Sequence, residues 1–223
     1  MARNITIIST NVVNCYLLKI ASGFILIDAG ISFQRGALKK ALKQAGCGSG
    51  DINLVILTHA DFDHTGNCVW LRNKYGAIIA MHREDSAAVE SGRMLLSRKN
   101  RRGIIAGALM NFGGLLIFRR FKPDVFFSDG EDLSRYGLEA RVIHIPGHSL
   151  GSIGVLTKDG DFFCGDLLVN GKKPAPNPLI DDAAEINASI EKLRSLNIKT
   201  VYPGHGKPFA MEPFLKDYSL HGS

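Results

Sequence analysis

The sequence predicts a layered α/β sandwich, with strands and helices mixed through both halves, and three observations carry that expectation. Between residues 4 and 30, short β-rich runs ("ITIIST", "NCYLLKI", "GFILIDAG") alternate with turn residues. Further along, strand-like runs are interleaved with segments whose apolar residues recur at helical spacing. "GFILIDAG" and "DFFCGDLL" both end a hydrophobic run in an aspartate, a hint of two related halves.

Taken in order, "FQRGALKKALKQAGC" is a helix that Gly46 stops, and "INLVILT" is a buried strand. "GNCVWLRNKYG" is a helix, "AIIAMH" a strand and "REDSAAVESGRMLLSRKN" another helix. "ARVIHI", "GSIGVLT" and "GDFFCGDLL" are strands. "DAAEINASIEKLRSLN" is an amphipathic helix with Asp181 or Asp182 near its start, and "KTVYPGHG" is a strand ending in a loop. Residues 93–122 form a basic and apolar insertion whose uncharged stretch is shorter than the roughly 20 apolar residues of a membrane span. Three readings of it stay open: buried core helices, a lid over a substrate, or a membrane-surface contact.

The chain of 223 residues fits one domain over 1–223. Its net charge of +6 mildly favours anionic partners without specifying one. Cys15, Cys47, Cys68 and Cys164 form no C-x-x-C pair, which excludes a zinc knuckle or redox motif of that kind and suits reduced cysteines. The N-terminus lacks the long apolar stretch of a signal peptide, so a cytoplasmic protein is expected.

The chemistry concentrates in "THADFDHTG". A buried strand delivers His59, Asp61, Asp63 and His64 at its end, nitrogen and carboxylate donors of the kind that bind divalent metals. Later, "PGHS" places His148 in a turn after a strand, "CGDLL" places Asp166 at a strand end, and "YPGHG" places His205 in another turn. All of them fall where strands stop and can converge on one edge of the sandwich.

In order and spacing, "LIDAG", "HADFDH", "PGHS", "GDLL" and "PGHG" resemble the pattern of the metallo-β-lactamase-fold hydrolase superfamily, from Asp28 to His205. The resemblance implies a four-layer αββα sandwich with a dinuclear site. His59, Asp61 and His148 would hold one divalent ion, Asp63, His64 and His205 the other, and Asp166 would bridge them. Asp28 would orient ligands by hydrogen bonds. Zinc is the first expectation, with manganese or iron as alternatives, and Asp63 would orient the hydroxide that attacks the substrate.

Asp61 departs from the family, which usually has histidine there. It either points away from the metals or ligates, and ligation favours harder metals than an all-imidazole face would. Of the other histidines, His144 suits a structural or orienting role, His82 a surface or strand-end place, and His221 a mobile tail. Cys164 suits the core, and Lys172 and Lys173 either meet an anionic substrate or lie in a solvated loop.

No G-x-S-x-G elbow is present. Within the family, a lactamase is disfavoured by the missing signal peptide and the additional His64, and a glyoxalase-II-like enzyme by the short C-terminal region. What remains is a hydrolase of a small ester, lactone or thioester, and the apolar stretch 103–118 favours an acyl or apolar group. A phosphodiesterase acting on nucleotides or nucleic acid and a non-catalytic metal-binding protein are the alternatives. Nucleic acid is the less favoured partner, and the oligomeric state is open.

Overall fold

Alternation along the strands sorts side chains onto two faces, and the two faces build the layers. The structure is a computed structural model that describes residues 5–10, 12–92 and 119–221. Most of the 93–122 insertion lies outside the described residues, and its lid, core and membrane-contact readings with it.

One sheet has six strands in the order β1-β2-β3-β4-β5-β6. They are β1 Ile5–Ser9, β2 Asn14–Ile20, β3 Gly23–Ile27, β4 Ile52–Ile56, β5 Ile78–His82 and β6 Val125–Phe127. The first three form an antiparallel meander, and β3 to β6 run parallel. The second sheet has the order β13-β12-β9-β8-β7. Its strands are β7 Ala140–His144, β8 Ile153–Thr157, β9 Asp161–Gly165, β12 Thr200–Pro203 and β13 Phe209–Ala210. A separate hairpin pairs β10 Leu168–Asn170 with β11 Pro174–Pro176.

On β3, Phe24 and Leu26 face helices while Ile25 and Ile27 face the second sheet. On β4, Val55 faces the helices, and Leu54 and Ile56 face inward. The second sheet mirrors this: Val142, Phe163 and Tyr202 point to the middle, whereas Ile143, Phe162 and Val201 point to its own helices. A one-turn helix, α2 Phe62–Thr65, lies in the loop after β4. The outer helices are α1 Arg35–Gln44 and α3 Cys68–Tyr75 on one side, and α5 Ala183–Arg194 and α6 Met211–His221 on the other. Leu38, Leu42 and Leu71 pack on the first sheet, and Ile186, Ile190, Leu193 and Phe214 on the second. Three apolar clusters between four layers, two of helices and two of strands, give the αββα sandwich that the motifs imply.

Local boundaries refine several expectations. Gly46 follows α1 at φ 74°, as a stop should. Asp182, not Asp181, caps α5, accepting from the N–H groups of Ala184 and Glu185. The helix after β5 is shorter than its apolar spacing suggests: α4 covers Ser86–Ser91, and Gly92 ends it at φ 74°. The expected tail at His221 is instead the end of α6, whose Pro213 stands in the first turn, where its missing N–H costs no helical bond. All four cysteines are free and buried.

Candidate metal centre

Strand direction gathers the donors. β3 and β4 run parallel, so Asp28 and the His59–His64 loop leave the first sheet at the same edge. β9 pairs parallel with β12, and β7 and β9 are both antiparallel to β8, so the turns after β7, β9 and β12 also share one edge. Those turns carry His148, Asp166 and His205. The two edges are sewn together: Ile153 N–H donates to the Thr58 carbonyl at 2.8 Å, and Asn14 N–H to the Gly204 carbonyl at 2.8 Å.

All seven expected donors meet. Three groups have ligand atoms within 4.8 Å of one another: His59/Asp61/His148, Asp63/His64/His205 and His59/His64/Asp166. Asp61 points inward, its Oδ2 lying 3.2 Å from His148 Nε2 and 3.7 Å from His59 Nε2. Asp63 Oδ2 is 3.4 Å from His205 Nε2 and 3.8 Å from His64 Nε2. Asp166 reaches both groups: Oδ1 is 3.3 Å from His64 Nε2, and Oδ2 is 3.2 Å from His205 Nε2 and 3.9 Å from His148 Nε2. Gly204 makes this possible, because a Cβ there would stand 2.4 Å from Asp166 Oδ1 and 2.7 Å from His64.

Whether this set fits divalent metals is decided by the ring nitrogens that face away from the centre. Each Nδ1 is already engaged. His64 donates to Asp28 Oδ2 at 2.8 Å, His148 to the Leu179 carbonyl at 2.5 Å and His205 to the Val12 carbonyl at 2.6 Å. His59 Nδ1 meets Thr58 Oγ1 at 3.0 Å, and that hydroxyl donates onward to Asp28. With every Nδ1 engaged, every Nε2 is the nitrogen turned to the centre and, once unprotonated, the one that can ligate, the arrangement metal-binding histidines show. The Nε2 atoms of His59 and His64 and the Oδ1 of Asp166 are buried without a hydrogen-bond partner, a costly condition that a cation relieves. The donor set fits.

Asp28 and Asp85 hold the loops. Asp28 takes the uncommon φ of 59° and accepts from Thr58 N–H at 2.8 Å as well as from His64. Asp85, buried after β5, accepts from Ala60 N–H (3.0 Å) on the first loop and from Ser149 Oγ (2.7 Å) and Gly151 N–H (2.8 Å) on the loop of His148. Asp85 is a generic acid at the start of a helix in the sequence, and only the tertiary fold reveals its partners. His82 and His144 stack on each other at 4.4 Å, and neither joins a donor group among the described residues. Lys172 and Lys173 occupy the exposed turn between β10 and β11.

Without metal the site is an ion cluster. Burial pushes the Asp61 carboxyl up, but His148 and His59 outweigh it and hold it well below the ordinary range. Asp166 is likewise held low against burial, chiefly by His64 and His205. Burial favours neutral His64, yet Asp28, Asp166 and Asp63 raise its pKa well above the usual value, and His205 is raised mainly by Asp166. The histidine contributions to stability are full below 6.5 and fade as pH rises through the folded values, while the aspartate contributions are full above 3.8 and fade as pH falls. In chelator, urea midpoints should therefore peak between these two pH values. Because the carboxylates favour protonated His64 and His205, metal affinity should rise with pH, and calorimetry in buffers of different ionisation heat should show proton release on uptake. Uptake without proton release would contradict this ion cluster.

A model of the metallo-beta-lactamase superfamily matches residues 9–205. A probable metallo-hydrolase of Methanocaldococcus jannaschii is 28% identical over 87% of each chain. A hydroxyacylglutathione hydrolase of Haemophilus influenzae is 31% identical over 70% of each chain. Equal coverage means similar lengths, so the short C-terminal region does not set this chain apart from that relative. An acyl-coenzyme A thioesterase of Gallus gallus is 25% identical over 92% of this chain and 76% of its own. Among solved structures, a metallo-beta-lactamase family protein of Thermus thermophilus superposes with a TM-score of 0.75 at 23% identity, covering 98% of this chain and 79% of that one. A protein solved in a di-iron-bound form gives 0.68 at 25% identity, covering 93% and 94%.

Proposed function

Since the chain belongs to the metallo-β-lactamase superfamily, we propose that it is a dinuclear metal-dependent hydrolase that cleaves a small thioester, ester or lactone. The observation that carries this is the set of buried, partnerless atoms on His59, His64 and Asp166, turned toward one another beside two further donor groups. His59, Asp61 and His148 would hold one ion, Asp63, His64 and His205 the other, and Asp166 would bridge. Two divalent ions in this place supply an acidified water and polarise the substrate carbonyl. Asp63, with its carboxylate at the mouth beside His205, would orient the attacking water.

The substrate class rests on the rim and on the relatives. Leu179 and Val12, whose carbonyls fix His148 and His205, are exposed by 52% and 40%, and Phe33 beside the Asp28 loop by 64%. Exposed apolar side chains on the residues whose carbonyls hold His148 and His205 suit an acyl chain. Likeness to a hydroxyacylglutathione hydrolase and an acyl-coenzyme A thioesterase supports putting thioesters first. The free cysteines agree with a cytoplasmic setting. No helix among the described residues is long and apolar enough to cross a membrane. Protein loaded with zinc, manganese or iron should hydrolyse acyl thioesters faster than aryl phosphodiesters. A preference for phosphodiesters would replace this reading with that of a phosphodiesterase, and no turnover of either by the loaded protein would leave a metal-binding protein.

Asp61 bears on the choice of metal. With three carboxylates the centre carries more hard oxygen donors than its histidine counterpart would. Asp61→His should fold and raise the zinc-to-manganese affinity ratio about tenfold or more, equivalent to about 1.4 kcal/mol. Competition titrations that return the parent ratio would show that Asp61 does not ligate.

A further inference from the structure

Asn177 lies outside every sequence motif, yet it is buried and uses both ends of its amide inside the metal centre. Its Nδ2 donates to Asp166 Oδ2 at 2.9 Å. Its Oδ1 accepts from Leu179 N–H at 2.9 Å, and the Leu179 carbonyl in turn accepts from His148 Nδ1–H. One side chain thereby connects the carboxylate that reaches both donor groups with the histidine of the first group. The backbone fixes Asn177 in place: its N–H donates to the Leu167 carbonyl at 3.1 Å, one residue after Asp166.

We propose that Asn177 is a positioning residue that couples the two halves of the centre, setting the rotation of the Asp166 carboxylate and the ring plane of His148 together. The chemistry of the contacts points this way. A carboxylate at the end of a strand turns freely about its Cβ–Cγ bond unless something holds one oxygen. Here Asn177 holds Oδ2 on the side of His205 and His148, which leaves Oδ1 facing His64 with no hydrogen-bond partner. The other end of the amide fixes the carbonyl that accepts from His148 Nδ1–H, which turns His148 Nε2 toward Asp61 Oδ2 at 3.2 Å. Asparagine suits both tasks because it alone offers a donor pair and an acceptor on one short planar group. Leucine of similar size would fill the space and perform neither.

This rests on the dinuclear reading, and cobalt(II) binding separates the two. Wild-type protein should take up two cobalt ions per chain, and Asn177→Leu should hold them about 10–100-fold more weakly, as measured by chelator competition. At saturation its visible cobalt absorption should also differ from wild type. Ile190→Val, a buried change in α5 away from the site, should leave both affinity and absorption unchanged, which removes a general loss of stability as the cause. If Asn177→Leu does not fold, Asn177→Ser serves with the same two readings. Wild-type affinity or a wild-type spectrum in the Asn177 variant overturns the coupling and leaves the dinuclear reading standing. Fewer than two ions in the wild type removes both.

Discussion

Replacing Asp166 by alanine is expected to abolish hydrolysis and metal uptake together while the sandwich remains assembled. Asp166 is the carboxylate that comes within 3.9 Å of histidines from both donor groups. Its removal takes from His64 and His205 the nearer of their two shared anions, leaving Asp63 at 3.8 and 3.4 Å, and leaves any two cations held nearby without the charge between them. Removing one partner from a buried charge cluster costs about 3–5 kcal/mol, roughly 10²–10⁴-fold in affinity. The fold should survive because the strands on either side, β9 and β12, are held by Phe162, Phe163, Val201 and Tyr202, which take no part in the site. Metal analysis and a thioester assay on the same preparation check this. Full activity with two bound ions would show that the bridge lies elsewhere.

The legible part of this molecule is the part whose spacing is set by one strand end. His59, Asp61, Asp63 and His64 sit within six residues, and the turns of His148 and His205 repeat a Pro-Gly-His pattern, so the donor list could be drawn up from the sequence. The layers were legible for a similar reason, since runs such as "GFILI" and "INLVI" are buried on both faces. The residues that hold the donors were not. Asp85 meets partners 25 and 66 residues away, and Asn177 reaches back 11 residues to Asp166. Neither has a local signal, because an acid beside a helix start and an asparagine beside prolines have ordinary explanations in turns and caps. Helix α6 went unread in a C-terminal region treated only as short, although Pro213 stands in its first turn, where a proline is tolerated. The β10–β11 hairpin was missed for want of β-branched residues: its second strand is "PAP".

The same distinction between donors and what holds them gives the second large effect, at Asp28. Asp28→Asn keeps size and shape, and asparagine tolerates the left-handed φ of 59° as well as aspartate does, so the backbone has no reason to move. Only the pairing changes. Asp28 accepts from a backbone donor that cannot turn away, Thr58 N–H at 2.8 Å, and from His64 Nδ1–H at 2.8 Å. The Thr58 hydroxyl donates as well but can rotate away, so an amide has one acceptor for the two remaining donors. Its oxygen must go to the fixed N–H, so its NH₂ faces His64. An imidazole moves its proton between nitrogens far more cheaply than a buried backbone N–H goes unpaired. His64 therefore becomes the acceptor at Nδ1 and carries its proton on Nε2, the atom that faces Asp166 and Asp63. A nitrogen that bears a proton has no lone pair for a metal. Activity should fall about 10⁴-fold, the scale seen when an essential histidine is held in the wrong tautomer, with the second ion lost and the urea midpoint of the metal-free protein shifted far less than in Asp28→Ala. Nitrogen-15 chemical shifts of His64 report the tautomer directly. An Asp28→Asn protein that retains two metals and wild-type turnover would mean that Asp28 braces the loop without choosing the state of His64.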